Sequence, residues 1–334
     1  MDATNHQVRL AARPTGEPAP SDWAFTEEPV PTAADGQLLV RITHLSLDPA
    51  MRAWLDDRPS YIPPVGLNEV MRALGAGEVV ESKHPSFAAG DHVTGVFGVQ
   101  EYAISDGRGV QIVDPSAVPV TTYLSALGMT GMTAYFGLFD VGALKEGETV
   151  LVSGAAGAVG SMVGQLAKIK GCTVIGIAGG PEKCATLTEE LGFDAAVDYR
   201  AGSLSRALRE KAPDGVDVFF DNVGGEVLDA GLGRLTRGAR VVICGAISQY
   251  NSGQAAGPKN YLSLLVNRAR MEGFVVFDYA SRYAQAGAEI AGWLRAGQLR
   301  SKEHVVTGSV ADFPATLLKL FHGENLGKLV LQIA

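Results

Sequence analysis

The stretch Val150-Leu-Val-Ser-Gly-Ala-Ala-Gly-Ala-Val-Gly160, followed by Ser161-Met-Val-Gly-Gln-Leu-Ala-Lys-Ile-Lys170, decides the fold of this chain. An apolar run leads into a glycine-rich turn and then into an amphipathic segment, which predicts a strand, a tight turn and a helix. Glycines at 154, 157 and 160 let the backbone turn sharply and approach a pyrophosphate closely. The start of the helix would offer that anion unpaired N–H groups and the positive end of the helix dipole. Because the chain has 41 glycines, the spacing alone is weak evidence, and the strand–turn–helix context is what indicates a dinucleotide site.

The segments on either side of this stretch follow two different patterns. Residues 1–127 read as mostly β, with short alternating runs at 37–43, 77–81 and 92–97 separated by Pro and Gly. From residue 128 onward strands alternate with helices, which predicts a doubly wound parallel α/β sheet. The expected strands are 149–153, 172–178, 195–198, 216–221, 240–244 and 271–276. The expected helices are 159–170, 181–190, 204–210, 226–235, 261–268 and 283–296.

The last segment of the chain predicts a discontinuous first domain. It reads as strand, helix and strand at 303–307, 313–321 and 328–333, which is too short for a domain of its own. A chain of 334 residues is expected to form about two domains, because single cores seldom grow past roughly 250–300 residues. We therefore expect a β-rich domain at 1–127, an inserted nucleotide domain at 128–302 and a return to the first domain at 303–334.

Composition narrows the class of function. A net charge of −8 without a basic run argues against nucleic-acid and anionic-membrane partners. No apolar run reaches the length of a signal peptide core or a membrane span, so a cytoplasmic enzyme is expected. Cys172, Cys184 and Cys244 are too far apart for a disulfide framework or a tight metal motif, and we interpret them as buried or inert thiols. The six histidines form no pair at ligand spacing, so no metal site is expected.

The segment after the second predicted strand bears on the choice of cofactor. An NAD site usually carries an Asp or Glu there, about 20 residues past the glycines, to bind the ribose 2′-hydroxyl. Here the strand ends in Ala178-Gly-Gly-Pro-Glu-Lys183, with a glycine at that position and a lysine at the start of the next helix. The missing carboxylate and the available cation favour a 2′-phosphate and hence NADPH. Lys183 as an ordinary solvated residue, or Glu182 as a ribose ligand, are the alternatives.

Two further strands end in small or polar residues. Asn222 follows the run Phe219-Phe-Asp, and Gly245–Ser248 follow the run at 240–244. Ligands of open α/β sheets bind beyond the carboxyl ends of the strands, so both segments are placed to contact a cofactor. An ordinary glycine turn is the alternative interpretation of each.

Seven motifs in register extend over essentially the whole chain. They are LSLDPAMR (45–52), YIPP (61–64), GMTGMTAYFGL (128–138), AAGAVG (155–160), FDNVGG (220–225), CGAISQYN (244–251) and GENLGK (323–328). With them the chain resembles the zinc-independent medium-chain dehydrogenase/reductases, in the branch of prostaglandin/leukotriene reductases and alkenal double-bond reductases that includes curcumin reductases.

The resemblance implies a Rossmann domain inserted in a GroES-like substrate domain, with the active site in the cleft between them, and a homodimer. It implies NADPH-dependent reduction of the C=C bond of α,β-unsaturated ketones and aldehydes by hydride transfer to the β-carbon. Its cofactor-binding residues, carried over position by position, would be Gly157, Ala158, Val159, Gly160, Lys183, Tyr199, Asn222, Cys244, Gly245, Ala246, Ile247, Ser248, Tyr250, Phe274, Val275, Val276 and Asn325. Of these, Lys183 and Tyr199 would hold the 2′-phosphate, and 274–276 would border the nicotinamide.

Two departures from the family pattern leave the catalytic residue open. Ala50 and Val266 occupy positions where many members of the family have tyrosine. The remaining candidates for a donor to the substrate oxygen are Tyr61 and Tyr250, then Tyr261, a ribose hydroxyl of the cofactor or a water. Quinone reduction with NADPH is an alternative activity, and an NADPH-binding sensor without turnover is an alternative of another class.

Overall fold

The structure is a computed structural model that describes residues 4–252 and 256–334. It divides into two compact units: Met1–Leu124 together with Glu303–Ala334 form unit 1, and Ser125–Lys302 form unit 2.

The N-terminal part of unit 1 consists mostly of short strands. Its strands are β1 (Thr4–Leu10), β2 (Trp23–Pro29), β3 (Leu38–Ser46), β4 (Leu74–Ser82), β5 (His92–Val96), β6 (Tyr102–Ser105) and β7 (Gln111–Ile112). Two single-turn helices accompany them, α1 (Met51–Trp54) and α2 (Val120–Tyr123).

Unit 2 alternates strands and helices. Its strands are β8 (Thr149–Ser153), β9 (Thr173–Ala178), β10 (Ala195–Asp198), β11 (Val216–Asp221), β12 (Leu235–Ile243) and β13 (Arg270–Gly273). Its helices are α3 (Met129–Phe136), α4 (Ala158–Ile169), α5 (Pro181–Ala185), α6 (Leu204–Lys211), α7 (Gly225–Leu232), α8 (Leu262–Asn267) and α9 (Tyr283–Arg295). The chain then re-enters unit 1 through β14 (Glu303–Gly308), α10 (Phe313–Phe321) and β15 (Lys328–Ile333).

The sheet of unit 2 is parallel throughout. Its strands lie in the order β10-β9-β8-β11-β12-β13, and every neighbouring pair is parallel. Counted from β8, this is the 3-2-1-4-5-6 order of a Rossmann sheet, which confirms the predicted doubly wound α/β fold. Buried apolar side chains such as Leu151, Ile175, Phe219 and Val241 form its core.

In unit 1, strands from both parts of the chain form one sheet. The order is β14-β15-β3-β4-β5-β7, with β6 paired to β3, while β1 and β2 form a separate two-stranded sheet. Val330 of β15 pairs antiparallel with Ser46 of β3, so the tail is hydrogen-bonded directly to an N-terminal strand.

A buried ion pair fastens that junction. The Lys328 ammonium donates to the Leu47 carbonyl (2.8 Å) and to the carboxylate of Asp48, and the side chain of Lys328 is only 1% exposed. Asp48 also accepts the Ser46 hydroxyl at 2.6 Å. Two of the motifs that mark the family resemblance, 45–52 and 323–328, therefore meet through their charged residues.

The boundaries of two strands differ from the sequence-based expectation. Strand β12 begins at Leu235, five residues before the expected start at 240. Gly238 takes a positive φ of 79°, which lets the chain pass through this segment without ending the strand. Strand β13 ends at Gly273, opposite Ile243, because its partner β12 ends there and no further ladder bonds are available.

Two helical segments also differ from the sequence-based expectation, one in its end and one in its type. The expected helix at 226–235 ends at Leu232, with Gly233 as its C-cap. The expected helix at 181–190 is α-helical only over Pro181–Ala185. It continues as a π-helical segment over Thr186–Glu190.

The described residues include no helix with both the length and the apolar character that a membrane span requires.

Candidate functional site

The glycine-rich turn joins β8 to α4 as the sequence predicts. Gly154 takes a φ of +57°, and the N–H of Ala155 donates to the Ile177 carbonyl of the neighbouring strand at 3.0 Å. A Cβ at Gly160 would lie 2.4 Å from the Gly154 carbonyl oxygen, far inside van der Waals contact. Glycine at 154 therefore allows the turn, and glycine at 160 allows the helix to begin directly against it.

The start of α4 suits an anion. Gly157 is the N-cap residue with an extended backbone, and no side chain among the described residues caps the helix. Gly157, Ala158 and Val159 are partly exposed, whereas the strand leading to them is buried. Because the strand order reverses between β8 and β11, this helix start lies at the crevice where open α/β sheets bind ligands. The bare backbone and uncapped N–H groups fit a pyrophosphate.

A buried polar network links the ends of β8 and β11. The Ser153 hydroxyl donates to the Asp221 carboxylate at 2.6 Å and accepts the Asn222 N–H at 2.8 Å. The Asn222 side chain donates to the Ser153 carbonyl at 2.7 Å, and Asp221 accepts the Gly224 N–H at 3.0 Å. Burial raises the pKa of Asp221, and the hydrogen bond from Ser153 opposes that rise. The network holds the glycine turn and the Asn222 turn in fixed relation.

Cys244–Tyr250 pack against the Asn222 turn. The Ser248 hydroxyl donates to the Val223 carbonyl at 2.6 Å, and the Ile247 N–H donates to the Asn222 carbonyl at 3.3 Å. The Tyr250 hydroxyl oxygen accepts the Ala246 N–H at 3.1 Å, so in this structure Tyr250 braces the segment. Burial, and next the charge of Asp221, raises the pKa of the Cys244 thiol to about 12, which favours the protonated thiol over the thiolate.

The predicted 2′-phosphate residues lie on the segments that follow β9 and β10, Lys183 on α5 and Tyr199 directly after β10. A Cβ at Gly179 would lie 2.8 Å from the Tyr199 ring and 3.0 Å from Nε of Arg200, so both side chains lie directly over bare backbone. Lys183 is partly buried on α5. Burial, and next the charge of Arg200, lowers the pKa of Lys183 from its ordinary value. Two cations and a tyrosine hydroxyl at an open glycine turn are a donor set that fits a phosphate.

The segment predicted to border the nicotinamide follows β13. The Phe274 ring lies 6.5 Å from the Phe220 ring, edge to face, and a Cβ at Gly137 would lie 2.6 Å from Phe274. The Val276 carbonyl accepts the Tyr283 hydroxyl at 2.9 Å. The segment thus packs against the C-terminal end of α3 and is hydrogen-bonded to Tyr283 of α9.

Tyr61 and Asn325 belong to unit 1, and Val266, where the family pattern has tyrosine, belongs to unit 2. Tyr61 belongs to unit 1, in the loop 57–64 that lines a cavity of about 350 Å³. Asn325, also of unit 1, donates to the Gly327 carbonyl at 2.8 Å, and its cofactor contact stays a prediction. Val266 lies on α8 of unit 2 and is 65% exposed.

Three residues of unit 2 lie at the site without having been predicted from the sequence: Ser153, Asp221 and Arg200. Ser153 and Asp221 each end an apolar strand with a polar side chain, a signal that could have indicated them. Arg200 has no comparable local signal, because its place beside Gly179 depends on the pairing of β10 with β9. In the described part of the chain, no three His, Cys, Asp or Glu side chains form a group that could hold a metal ion.

Comparison with known proteins covers the whole chain. Residues 6–113 match the family described as the N-terminal domain of oxidoreductase, and residues 158–292 match the family described as zinc-binding dehydrogenase. The NADPH-dependent curcumin reductase of Escherichia coli (strain K12) is 40% identical over 336 residues, covering 99% of this chain and 97% of that protein. The NADP-dependent 2-alkenal reductase of Nicotiana tabacum is 38% identical over 339 residues, covering 100% and 98%.

A solved structure resembles this chain with a sequence identity close to that of these two reductases. The crystal structure of CurA from Vibrio vulnificus in complex with NADPH superposes with a TM-score of 0.93 at 43% sequence identity. The match covers 98% of this chain and 99% of that one, so the similarity extends over both units.

Proposed function

This chain belongs to the medium-chain dehydrogenase/reductase family, in the branch of the prostaglandin, curcumin and 2-alkenal reductases, and from this premise we propose that it reduces the C=C bond of α,β-unsaturated ketones and aldehydes. The chain is an NADP-dependent oxidoreductase. The choice of acceptor is the part that we propose.

The observation that carries the proposal is full-length similarity to reductases of two acceptors. Curcumin and 2-alkenals differ in size and shape, yet both contain a C=C bond conjugated to a carbonyl group. A chain that is similar to both reductases over its whole length is therefore expected to act on this conjugated C=C bond. We do not assign it either molecule as its particular substrate.

The described residues fit the cofactor that this reaction needs. We propose that residues 157–160 hold the pyrophosphate, that Lys183 and Tyr199 hold the 2′-phosphate, and that Asn222 with Cys244–Tyr250 flank the adenosine side. Residues 274–276 would border the nicotinamide. The support comes from the bare backbone at Gly154, Gly160 and Gly179, where a Cβ would be strained or would clash.

The reaction requires few side-chain groups, because the cofactor supplies the hydride. NADPH, when bound, supplies the hydride for the β-carbon. Negative charge then builds on the carbonyl oxygen, where an O–H donor stabilises the enolate, and a proton reaches the α-carbon. We propose Tyr61 for the donor, because it belongs to a loop that lines a cavity, and we propose a bracing role for Tyr250.

We further propose that the chain forms a homodimer through β13. Among the described residues β13 pairs with β12 alone, so it is an edge strand of the unit 2 sheet. Exposed apolar side chains cluster on α8 and β13, a group that we call the edge patch: Tyr261, Leu262, Leu265, Val266 and Met271. An apolar patch beside an open strand edge is suited to pair with a second copy of itself.

Turnover with a defined enone tests the proposed reaction. The purified chain is expected to oxidise NADPH, followed by its fluorescence, with 3-nonen-2-one or curcumin. The product of 3-nonen-2-one should be the saturated ketone and not the allylic alcohol. With NADPH deuterated at the transferred position of C4, NMR should find the label at the β-carbon.

Controls separate the alternatives. The saturated ketone nonan-2-one should give no turnover. Faster reaction with quinones than with enones would make the chain a quinone reductase, and tight NADPH binding without turnover on any enone would make it a sensor. Gly160→Ala should abolish NADPH binding and activity, whereas Gly292→Ala, at a helical glycine with open space around it, should leave both unchanged.

A further inference from the structure

The segment after β10 is fastened to the turn after β9. One carboxylate oxygen of Asp198 accepts the N–H groups of both Gly180 and Arg200, each at 2.9 Å. The N–H of Tyr199 donates to the Ala178 carbonyl at 3.1 Å. Two of these hydrogen bonds join the neighbouring strand ends and the third fixes Arg200 to Asp198, so the backbone of Arg200 is held beside Gly179 and Gly180.

The side chain of Arg200 lies at the same place. Its Nε would be 3.0 Å from a Cβ at Gly179, and its guanidinium carbon lies 5.5 Å from the centre of the Tyr199 ring. A guanidinium over an aromatic ring keeps its planar fork of N–H groups in a defined orientation. Such a fork matches the oxygen geometry of a phosphate.

Lys183 adds a second positive charge near the turn after β9. It lies on α5, which begins directly after Gly180, and the charge of Arg200 contributes to lowering its pKa. Like charges repel each other, and Glu182 raises the pKa of Lys183 by less than Arg200 lowers it. A phosphate dianion between them would remove the repulsion, whereas a ribose 2′-hydroxyl would leave it in place.

We propose that Arg200 binds the 2′-phosphate of NADPH together with Lys183 and is a determinant of the preference for NADPH over NADH. The inference rests on the proposed cofactor residues Lys183 and Tyr199. It does not depend on the enone reaction, and it is tested without an acceptor.

Titrations of the purified chain with NADPH, NADH and 2′,5′-ADP separate the phosphate from the rest of the cofactor. Arg200→Ala is expected to weaken NADPH and 2′,5′-ADP by about 10-fold to 100-fold, the value of a charge-assisted hydrogen bond. NADH binding should stay within about twofold, because it makes no such bond. Arg200→Lys should lose less than Arg200→Ala, since an ammonium keeps the charge without the planar fork.

Arg206→Ala is the matched control. Arg206 is an exposed arginine on α6 paired with Glu210, and its loss should leave all three ligands unchanged. Equal loss of NADH and NADPH in Arg200→Ala, or no loss of either, overturns the inference. Lys183→Ala separates the two proposals: equal effects on NADH and NADPH would refute the 2′-phosphate site itself, whereas a phosphate-specific loss in Lys183→Ala without one in Arg200→Ala refutes only the role of Arg200.

Discussion

Two tyrosines that the sequence leaves equivalent have different surroundings in the structure. The Tyr250 hydroxyl accepts a backbone N–H within Cys244–Tyr250, next to the Asn222 turn. Tyr61 lies in a proline-rich loop of unit 1, is half exposed and lines a cavity. A residue that holds a turn and a residue that faces a cavity affect different kinetic constants, which makes their roles separable.

Replacing each tyrosine by phenylalanine tests this separation. Tyr61→Phe is expected to lower kcat with an enone by about 100-fold, the usual effect of losing one oxyanion donor, and to leave the Kd of NADPH unchanged. Tyr250→Phe is expected to weaken NADPH by about fivefold, since it removes one hydrogen bond, with little change of kcat at saturating cofactor. Stopped-flow turnover and fluorescence titration give the two constants.

The control for that pair is Tyr123→Phe. The Tyr123 hydroxyl donates to the Asp114 carbonyl at 3.0 Å in an exposed part of unit 1, and Tyr123 is not among the proposed cofactor or substrate residues. Wild-type kcat in Tyr61→Phe would show that another group faces the substrate oxygen.

At the scale of elements, the junction of β3 and β15 depends on one buried ion pair. Lys328 is almost fully buried, whereas the side chain of Asp48 keeps about a fifth of its surface exposed. Burial lowers the pKa of Lys328, and the carboxylate of Asp48 opposes that change. The charged form of Lys328 therefore depends on the ion pair more than the charged form of Asp48 does, because water reaches only the carboxylate.

This asymmetry predicts unequal effects of the two single substitutions. Asp48→Asn leaves a buried ammonium without its counter-charge and is expected to lower the free energy of unfolding by about 3–5 kcal/mol. Lys328→Met leaves a carboxylate that water can reach, so its cost should be smaller. The double variant should cost less than the sum of the two, and urea unfolding of all four proteins measures the difference. Strictly additive costs would mean that the pair is not coupled.

At the scale of the molecule, the six-stranded sheet ends at β13, which pairs with no strand but β12 in the described part of the chain. Leu265 is 73% exposed, and the other four apolar side chains of the edge patch are exposed as well, which is the pattern of an association surface. Burying such side chains against a second copy would remove apolar surface from water and pair the free edge of β13.

Charges in the edge patch should therefore dissociate the protein. Light scattering after gel filtration is expected to give twice the 35.0 kDa chain mass for the wild type and a single chain for Leu265→Asp with Met271→Asp. Burial of either carboxylate in the interface would be unfavourable by several kcal/mol, because each would be a buried charge without a partner. Ile112→Asp, at an exposed apolar side chain of unit 1, is the control and should remain a dimer. A monomeric wild type would refute the proposed homodimer.

The sequence by itself determined the features that depend on local backbone geometry. The strand–turn–helix at 149–169, the alternation of strands and helices in unit 2 and the prediction of NADPH as cofactor all follow from glycine spacing, apolar periodicity and a missing carboxylate within short segments. Those patterns constrain φ, ψ and side-chain direction over a few residues, so they can be interpreted without knowing the neighbours.

Only the tertiary structure decided which distant residues meet. Arg200 lies beside Gly179 because β10 pairs with β9, and Asp221 bonds Ser153 because β11 pairs with β8. Strand β13 ends where β12 does, and Asp48 meets Lys328 because β15 pairs with β3. Each of these contacts joins strand ends that are far apart in the chain, and no local pattern specifies which strands become neighbours.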